Sequence, residues 1–225
     1  MPSDQATQKK KPVLRGVSHQ VAAYFAAIAG AFLIYITYRN TGGARVPLIG
    51  NTVYVLTLVF LFGMSAFYHR PTWKPDMRRK LRKLDHAAIY FLIAGTGTAV
   101  GLASTRLSAD PSSGFNYLVI LWVGCTLGVI KSLFWAHAPK AISALAYCLI
   151  GLSAAPFLPQ IAPQLGMLST VLICIGGALY LVGAVIYALR KPDPWPEFFG
   201  YHEIFHLLVI AGATCHYIVI LRTLS

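Results

Sequence analysis

Seven apolar runs divide this chain, and they constrain its fold more than any other feature of the sequence. A helix needs about 20 mainly apolar residues to cross the hydrocarbon core of a bilayer. The sequence predicts such spans over 18–38, 48–69, 84–104, 115–136, 140–158, 167–189 and 201–222. Proline and glycine lie in the breaks between them, where they end helices. We therefore predict an all-α membrane protein, a seven-transmembrane helix bundle over residues 18–225 that follows a tail over 1–17.

The composition also indicates an integral membrane protein. Hydrophobic residues make up 56% of the 225 residues and charged residues 12%, whereas about a quarter of a soluble domain is charged. The formal net charge of +12 would indicate a nucleic-acid partner only if the basic residues clustered on a soluble domain. They lie between apolar runs instead, so we predict a multi-pass protein of the cell (inner) membrane with no nucleic-acid partner.

The basic residues are distributed unequally between the two ends of the predicted bundle. Fifteen of the 19 lysines and arginines lie in the N-terminal tail or near the second, fourth and sixth connections, and four lie at the other end. Cytoplasmic segments of membrane proteins carry the excess of Lys and Arg. We therefore predict a cytoplasmic N-terminus and an external C-terminus, and we interpret the tail as retained rather than as a signal peptide.

A small set of polar side chains lies at the span ends that this topology places on the cytoplasmic side. Ser65 and His69 end the second span, Asp85 lies at the start of the third, and His202 and His206 begin the seventh. Residues four apart share one face of a helix. Ionisable residues in membrane helices are costly unless they face the protein interior. The topology therefore brings these five residues together, although they lie far apart in the sequence.

This set has the composition of a catalytic zinc site, in which three protein ligands leave a fourth position free. We predict that His69, His202 and His206 bind Zn²⁺. Asp85 is predicted to orient a water at the metal or to take its proton. Ser65 is predicted to hydrogen-bond that water, a ligand's second nitrogen or a developing oxyanion.

Some of these residues also have a purely structural explanation when taken singly. Asp85 can cap the third helix or pair with neighbouring basic residues, and Ser65 can be a helix-packing residue. Glu203 lies within H-E-x-x-H, where soluble zinc proteases use the glutamate as general base. It is rotated about 100° from His202, so we favour Asp85 as the base and a supporting or helix-start role for Glu203.

The sequence links the remaining histidines less directly to the predicted metal site. His216 lies ten residues beyond His206, about 15 Å farther along the helix axis, and cannot reach the same metal. His19 begins the first span and can support the site, whereas His86 is rotated about 100° from Asp85. The four cysteines lie in apolar segments without a C-x-x-C pair, which indicates packing rather than disulfides or thiolate ligands.

The chain resembles the haemolysin III proteins, the bacterial branch of the progestin and adipoQ receptor family, within the wider group that contains alkaline ceramidases. The resemblance is carried by PVLRGVSH at 12–19, SAFYH at 65–69, KLDHAAIYFLIAGTGT at 83–98 and HEIFHLLVIAGATCH at 202–216. It implies zinc held by three histidines near the cytoplasmic face. The S-x-x-x-H, L-D and H-x-x-x-H motifs fall on Ser65, His69, Asp85, His202 and His206.

The residues and the resemblance together lead to several candidate activities. We expect a membrane-embedded zinc hydrolase that acts on a lipid amide or ester. The alternatives are a sensor or regulator of membrane state with structural zinc, a cytolysin, and a proton or ion pathway along Asp85, His86 and His216. An open metal position beside Asp85 would favour the hydrolase. One departure from the family is GTGTA at 95–99, where GTYTP is expected, and it predicts a wider space beside the third span.

Overall fold

The computed structural model describes residues 11–107, 112–135 and 137–224, with the side chains of 105–115 excepted. Within those residues the chain is helical between short connections. In chain order the elements are α1 (Val17–Thr41), α2 (Arg45–His69), α3 (Pro75–Leu107), α4 (Ser112–Phe134), α5 (Lys140–Leu152), a 3-10 turn (Ala155–Phe157), α6 (Leu158–Leu165), α7 (Met167–Leu189) and α8 (Tyr201–Arg222).

Seven spans in this described part are long and apolar enough to cross a membrane, and α5 and α6 together form the fifth of them. The prediction of a multi-pass bundle of seven helices is therefore confirmed. The sixth and seventh predicted spans, 167–189 and 201–222, coincide with α7 and α8. The predicted tail falls largely on residues 1–10, outside the described residues, and the predicted orientation across the membrane stays a prediction.

The third span begins earlier than predicted. Helix α3 starts at Pro75 rather than at residue 84 and is 33 residues long, which gives a length of about 50 Å, well beyond the ~30 Å hydrocarbon core. Its first turns are rich in Lys and Arg and are missed by a criterion based on apolar residues. Proline is well suited to the first position of a helix, which explains the start at Pro75. Because of its length, α3 extends beyond the membrane core as a charged helical stem.

The fifth span also differs from the prediction, which ended it at residue 158. Helix α5 ends at Leu152, and the chain continues through the 3-10 turn and α6 to Leu165, so that the span covers 26 residues. The segment from 156 to 163 contains three prolines. Proline removes a backbone donor and interrupts a regular helix, which explains why this span is broken into two helices rather than ended.

The seven spans form a ring in which successive helices pack on each other and α8 returns to α1. Helix α3 leans inward and also contacts α5, α6 and α8. In an 18-residue apolar window of its span 67% of the residues are buried, whereas the share is 17–39% in the corresponding windows of the other spans. Close packing in membranes relies on small residues, and a side chain at Gly95 of α3 would lie 2.0 Å from the Thr57 hydroxyl of α2. Helix α3 therefore lines the interior of the bundle.

Candidate metal centre

All of the predicted site residues lie at one end of the bundle, which we call the basic end. It is formed by residues 11–16 and by the connections that join α2 to α3, α4 to α5 and α7 to α8. His69 is the last residue of α2, and His202 and His206 lie in the first two turns of α8. The sequence-based expectation that these three side chains meet is therefore correct.

The three histidines form a group that can hold a metal ion. One nitrogen from each ring lies within 4.8 Å of the others, and all three residues are buried. The Nε2 atoms of His69 and His202 are 3.2 Å apart. In a tetrahedral site with Zn–N bonds of about 2.0–2.1 Å, two ligand nitrogens lie about 3.3 Å apart. The observed separation fits such a site, and Nδ1 of His206 has no hydrogen-bond partner among the described residues.

Asp85 and Ser65 lie beside this group. The Asp85 carboxylate is 3.6 Å from Nε2 of His69. Ser65 is buried one turn before His69 on the same face of α2, and it lines the same cavity as the histidines. Because α3 starts at Pro75, Asp85 lies ten residues inside the helix and is not its cap. The structure thus brings the five residues together, while their catalytic and metal-binding roles stay predictions.

His19 contacts a candidate metal ligand directly, which the sequence did not indicate. Its ring stacks on that of His206 with 3.7 Å between centroids and an interplanar angle of 6°. His19 is 2% exposed, and neither of its ring nitrogens has a hydrogen-bond partner within the described part of the chain. The stack fixes one face of the His206 ring, so α1 helps to orient a candidate ligand on α8.

Glu203 belongs to the start of α8 rather than to the cavity. Its carboxylate accepts a hydrogen bond of 2.8 Å from the backbone N–H of Gly200, the residue that precedes the helix. It also forms an ion pair with Arg15. Both interactions tie Glu203 away from the three histidines, and this position agrees with the helix-start role rather than with that of a general base.

Residues 11–16 cover the site from outside the ring of helices. The backbone N–H groups of Val13 and Leu14 donate to the carbonyls of Glu197 and Phe198 at 3.0 and 3.2 Å. Gly16 then adopts a φ of 80°, and a side chain there would place its Cβ 2.6 Å from Cβ of His69. Only glycine lets this segment cross so close to His69, and the sequence gives no sign of that contact.

We expect Gly16→Ala to disturb the metal centre as well as the fold. A left-handed residue other than glycine costs about 1–2 kcal/mol, and the new Cβ would also push against His69. Gly42→Ala is the matched control, because Gly42 has a φ of 60° but no atom within 4 Å of its would-be Cβ. Both variants should unfold at lower temperature in detergent, but only Gly16→Ala should also lose bound metal. Equal metal content in the two variants would show that Gly16 does not position His69.

The histidines line a cavity of about 1120 Å³ that extends from the basic end into the middle of the bundle. Its inner part reaches His216, whose Nε2 lies 3.4 Å from the Ile173 carbonyl. Gly97 also lines this part, but Leu121 and the Tyr117 hydroxyl occupy the position of a side chain there, at 2.1 and 2.8 Å from its would-be Cβ. The space expected beside Gly97 is therefore filled from α4.

Comparison with known proteins agrees with the motifs. A family model described as Haemolysin-III related matches residues 7–217. The chain belongs to the haemolysin III family. Hemolysin-3 of Bacillus cereus is 26% identical to this haemolysin III protein over 212 residues, which cover 94% of this chain and 91% of that protein. The Hemolysin-3 homolog of Bacillus subtilis (strain 168) is also 26% identical, over 94% and 93%.

The similarity extends beyond bacteria. The Adiponectin receptor protein of Drosophila melanogaster is 28% identical over 186 residues, which cover 76% of this chain and 41% of that protein. The family is thereby placed in the progestin and adipoQ receptor group, as the motifs indicated. The three histidines of this haemolysin III protein lie within the region that the family model matches.

Proposed function

We propose that this haemolysin III protein is a zinc-dependent hydrolase that cleaves an amide or ester bond of a membrane lipid. The observation that carries the proposal is the position of the three histidines and Asp85 on the wall of one cavity. That cavity is polar and basic at one end and apolar in its interior. An amphipathic molecule can therefore place its head at the surface, its chain between the helices and its linkage beside the histidines.

The residues present suit zinc. Imidazole nitrogen is a typical zinc ligand, and three such ligands are the usual protein contribution to a catalytic site. Among the described residues, the group that can hold a metal consists of His69, His202 and His206, without a fourth protein ligand to close the site. When bound, zinc supplies Lewis acidity and promotes the ionisation of water at neutral pH.

The chain's own residues then have distinct tasks. The Asp85 carboxylate, 3.6 Å from the His69 ring, accepts the proton of a water whose oxygen attacks the acyl carbon. It returns that proton to the leaving nitrogen or oxygen as the acyl C–N or C–O bond breaks. The Ser65 hydroxyl donates to the acyl oxygen as negative charge develops on it. Apolar residues such as Leu92 hold the acyl chain away from water.

A second candidate function is that of a regulator of membrane state in which the metal is structural. It is favoured by the name of one relative, which calls that protein a receptor. Such a protein would bind lipid in the same cavity without turnover. The two functions make opposite predictions for purified protein.

Acyl release should decide between them. We expect the purified protein in lipid bilayers to release free fatty acid from amide-linked or ester-linked lipids that carry a labelled acyl chain. A chelator should abolish the release, because it removes the Lewis acid, and added zinc should restore it. Zinc-loaded protein that binds these lipids but releases no fatty acid from any of them would contradict the hydrolase and leave the regulator.

A further inference from the structure

One face of α3 changes in polarity along the cavity in a regular order. Arg78 and Arg82 line its mouth, Asp85 lies at the level of the histidines, and Leu92 and Val100 line its interior. At 1.5 Å per residue, the two arginines lie about 10 and 5 Å before Asp85, and Val100 lies about 22 Å beyond it. The order is cationic, then polar, then apolar, which is complementary to an amphipathic molecule with a negatively charged head.

Positive charge surrounds this mouth from several elements. The basic residues that line it lie on the N-terminal segment, α3, α5 and the end of α7, and are Lys11, Arg15, Arg78, Arg82, Lys140 and Arg190. Of these six, Arg15 alone has a carboxylate within salt-bridge distance among the described residues. A cleft lined by charges of one sign and bounded by apolar walls concentrates a field that attracts an opposite charge.

Arg82 has unused hydrogen-bonding capacity toward such a charge. Its Nη2 lies 2.7 Å from Nδ1 of His137. Its Nε is buried and has no hydrogen-bond partner in the part of the chain that is described. A buried donor without a partner is costly, and a guanidinium group matches the oxygens of a phosphate with two parallel hydrogen bonds.

The pKa of Lys11 reports the same positive field. Partial burial lowers it, and the neighbouring charges of Arg70, Arg15 and Arg78 lower it further. Lys11 donates a hydrogen bond of 2.9 Å to the Arg70 carbonyl, so its ammonium is held beside the mouth.

The general excess of basic residues at this end does not explain why Arg78 and Arg82 both line the cavity. Lys80 lies on α3 between Arg78 and Arg82, about 200° around the helix from each. It is exposed and does not line the cavity. The basic end therefore carries one group of cations that faces outward and another that faces the cavity mouth.

We propose that the cavity mouth binds the phosphate of an anionic lipid headgroup, with Arg78 and Arg82 as its binding residues. This inference rests on the proposed function in placing the acyl linkage of that lipid at the histidines. It narrows the substrate class to lipids that carry a phosphate at the head and a fatty chain below.

Equilibrium binding of ether-linked lipids tests the site without turnover, because an alkyl ether contains no acyl bond to hydrolyse. The probes are a dialkylglycerol phosphate, the matched dialkylglycerol and inorganic phosphate, each added to the purified protein in a neutral detergent. We expect the lipid phosphate to bind at least about tenfold more tightly than the dialkylglycerol, as charge-assisted hydrogen bonds of this kind contribute. Inorganic phosphate should displace it only at large excess, because it lacks the chain.

Charge-removing variants then locate the site. Arg82→Gln and Arg78→Gln should each weaken binding of the lipid phosphate about tenfold while leaving the dialkylglycerol unaffected. Lys80→Gln should leave both unaffected. Arg78 is exposed, so its variant gives a valid result even if Arg82→Gln fails to fold.

Three results would overturn the proposal. The first is equal binding of the lipid phosphate and the dialkylglycerol. The second is a loss of lipid-phosphate binding in Lys80→Gln that matches the loss in Arg78→Gln. The third is displacement of the lipid phosphate by inorganic phosphate at equal concentration. The last would make the mouth a site for free phosphate. Normal selective binding together with a complete lack of acyl release would support the headgroup site and contradict the hydrolase alone, so the two failures are distinguishable.

Discussion

Purified His202→Ala and His206→Ala are each expected to lose essentially all bound zinc, while the wild-type protein retains about one equivalent per chain. The two residues lie one turn apart on α8, and each contributes one nitrogen to a group whose atoms lie within 4.8 Å. Two remaining imidazoles do not hold the metal tightly, since zinc sites in proteins use at least three protein ligands. Elemental analysis after purification without chelator measures the difference.

His137→Ala is the control for that experiment. His137 is exposed at the same end of the bundle and contacts Arg82 rather than the histidine group. It should keep the wild-type zinc content. If His137→Ala lost as much zinc as His206→Ala, the binding would be a property of the basic end as a whole and not of the three buried histidines.

Asp85→Asn is expected to keep its zinc and to lose hydrolysis by about 10²–10⁴-fold, the usual contribution of general acid–base catalysis. Asparagine has nearly the same shape as aspartate but cannot take a proton in the reaction. The carboxylate lies 3.6 Å from the His69 ring, close enough to act beside the metal. Zinc content and the rate of fatty-acid release, measured on the same preparation, separate the two effects.

Asp76→Asn provides the matched control, since Asp76 lies nine residues earlier on α3 and forms an exposed ion pair with Arg79. Exposed ion pairs contribute little to stability, so this variant should match the wild type in both measurements. A normal rate in Asp85→Asn would remove Asp85 from the mechanism. Loss of zinc from it, as complete as in His206→Ala, would make Asp85 a ligand and favour a structural metal.

Much of this architecture could be predicted because a bilayer imposes simple requirements on a chain. The spans α7 and α8 follow from hydropathy alone, since their ends coincide with turn-forming sequence. The meeting of His69, His202 and His206 follows from topology, because alternate span ends lie on the same side. No distance between the elements was needed for either conclusion.

Other features depend on helix rotation and close contact, which hydropathy does not encode. The charged turns at the start of α3 are helical, although they are polar. The stack of His19 on His206 and the crossing of Gly16 against His69 depend on how α1 and α2 pack. The sequence placed His19 at the same end of the bundle as the three histidines, but the rotation of α1 decides which ring it touches.

The same limit applies to the cavity mouth. Counting basic residues predicts at which end of the bundle they lie, but not which of them face inward. Arg78, Lys80 and Arg82 are equivalent in such a count, and the helical period of α3 separates the first and third from the second. The sequence analysis did not predict the helical start of α3, and therefore it did not predict which basic residues there face the cavity.

Anomalous scattering from crystals of the purified protein, recorded just above and just below the zinc absorption edge, tests the central claim most directly. The account predicts a single peak that appears only above the edge and lies between the rings of His69, His202 and His206. A peak at any other place, or a peak that is unchanged across the edge, would contradict it. So would the lack of any peak in fully folded protein prepared without chelator.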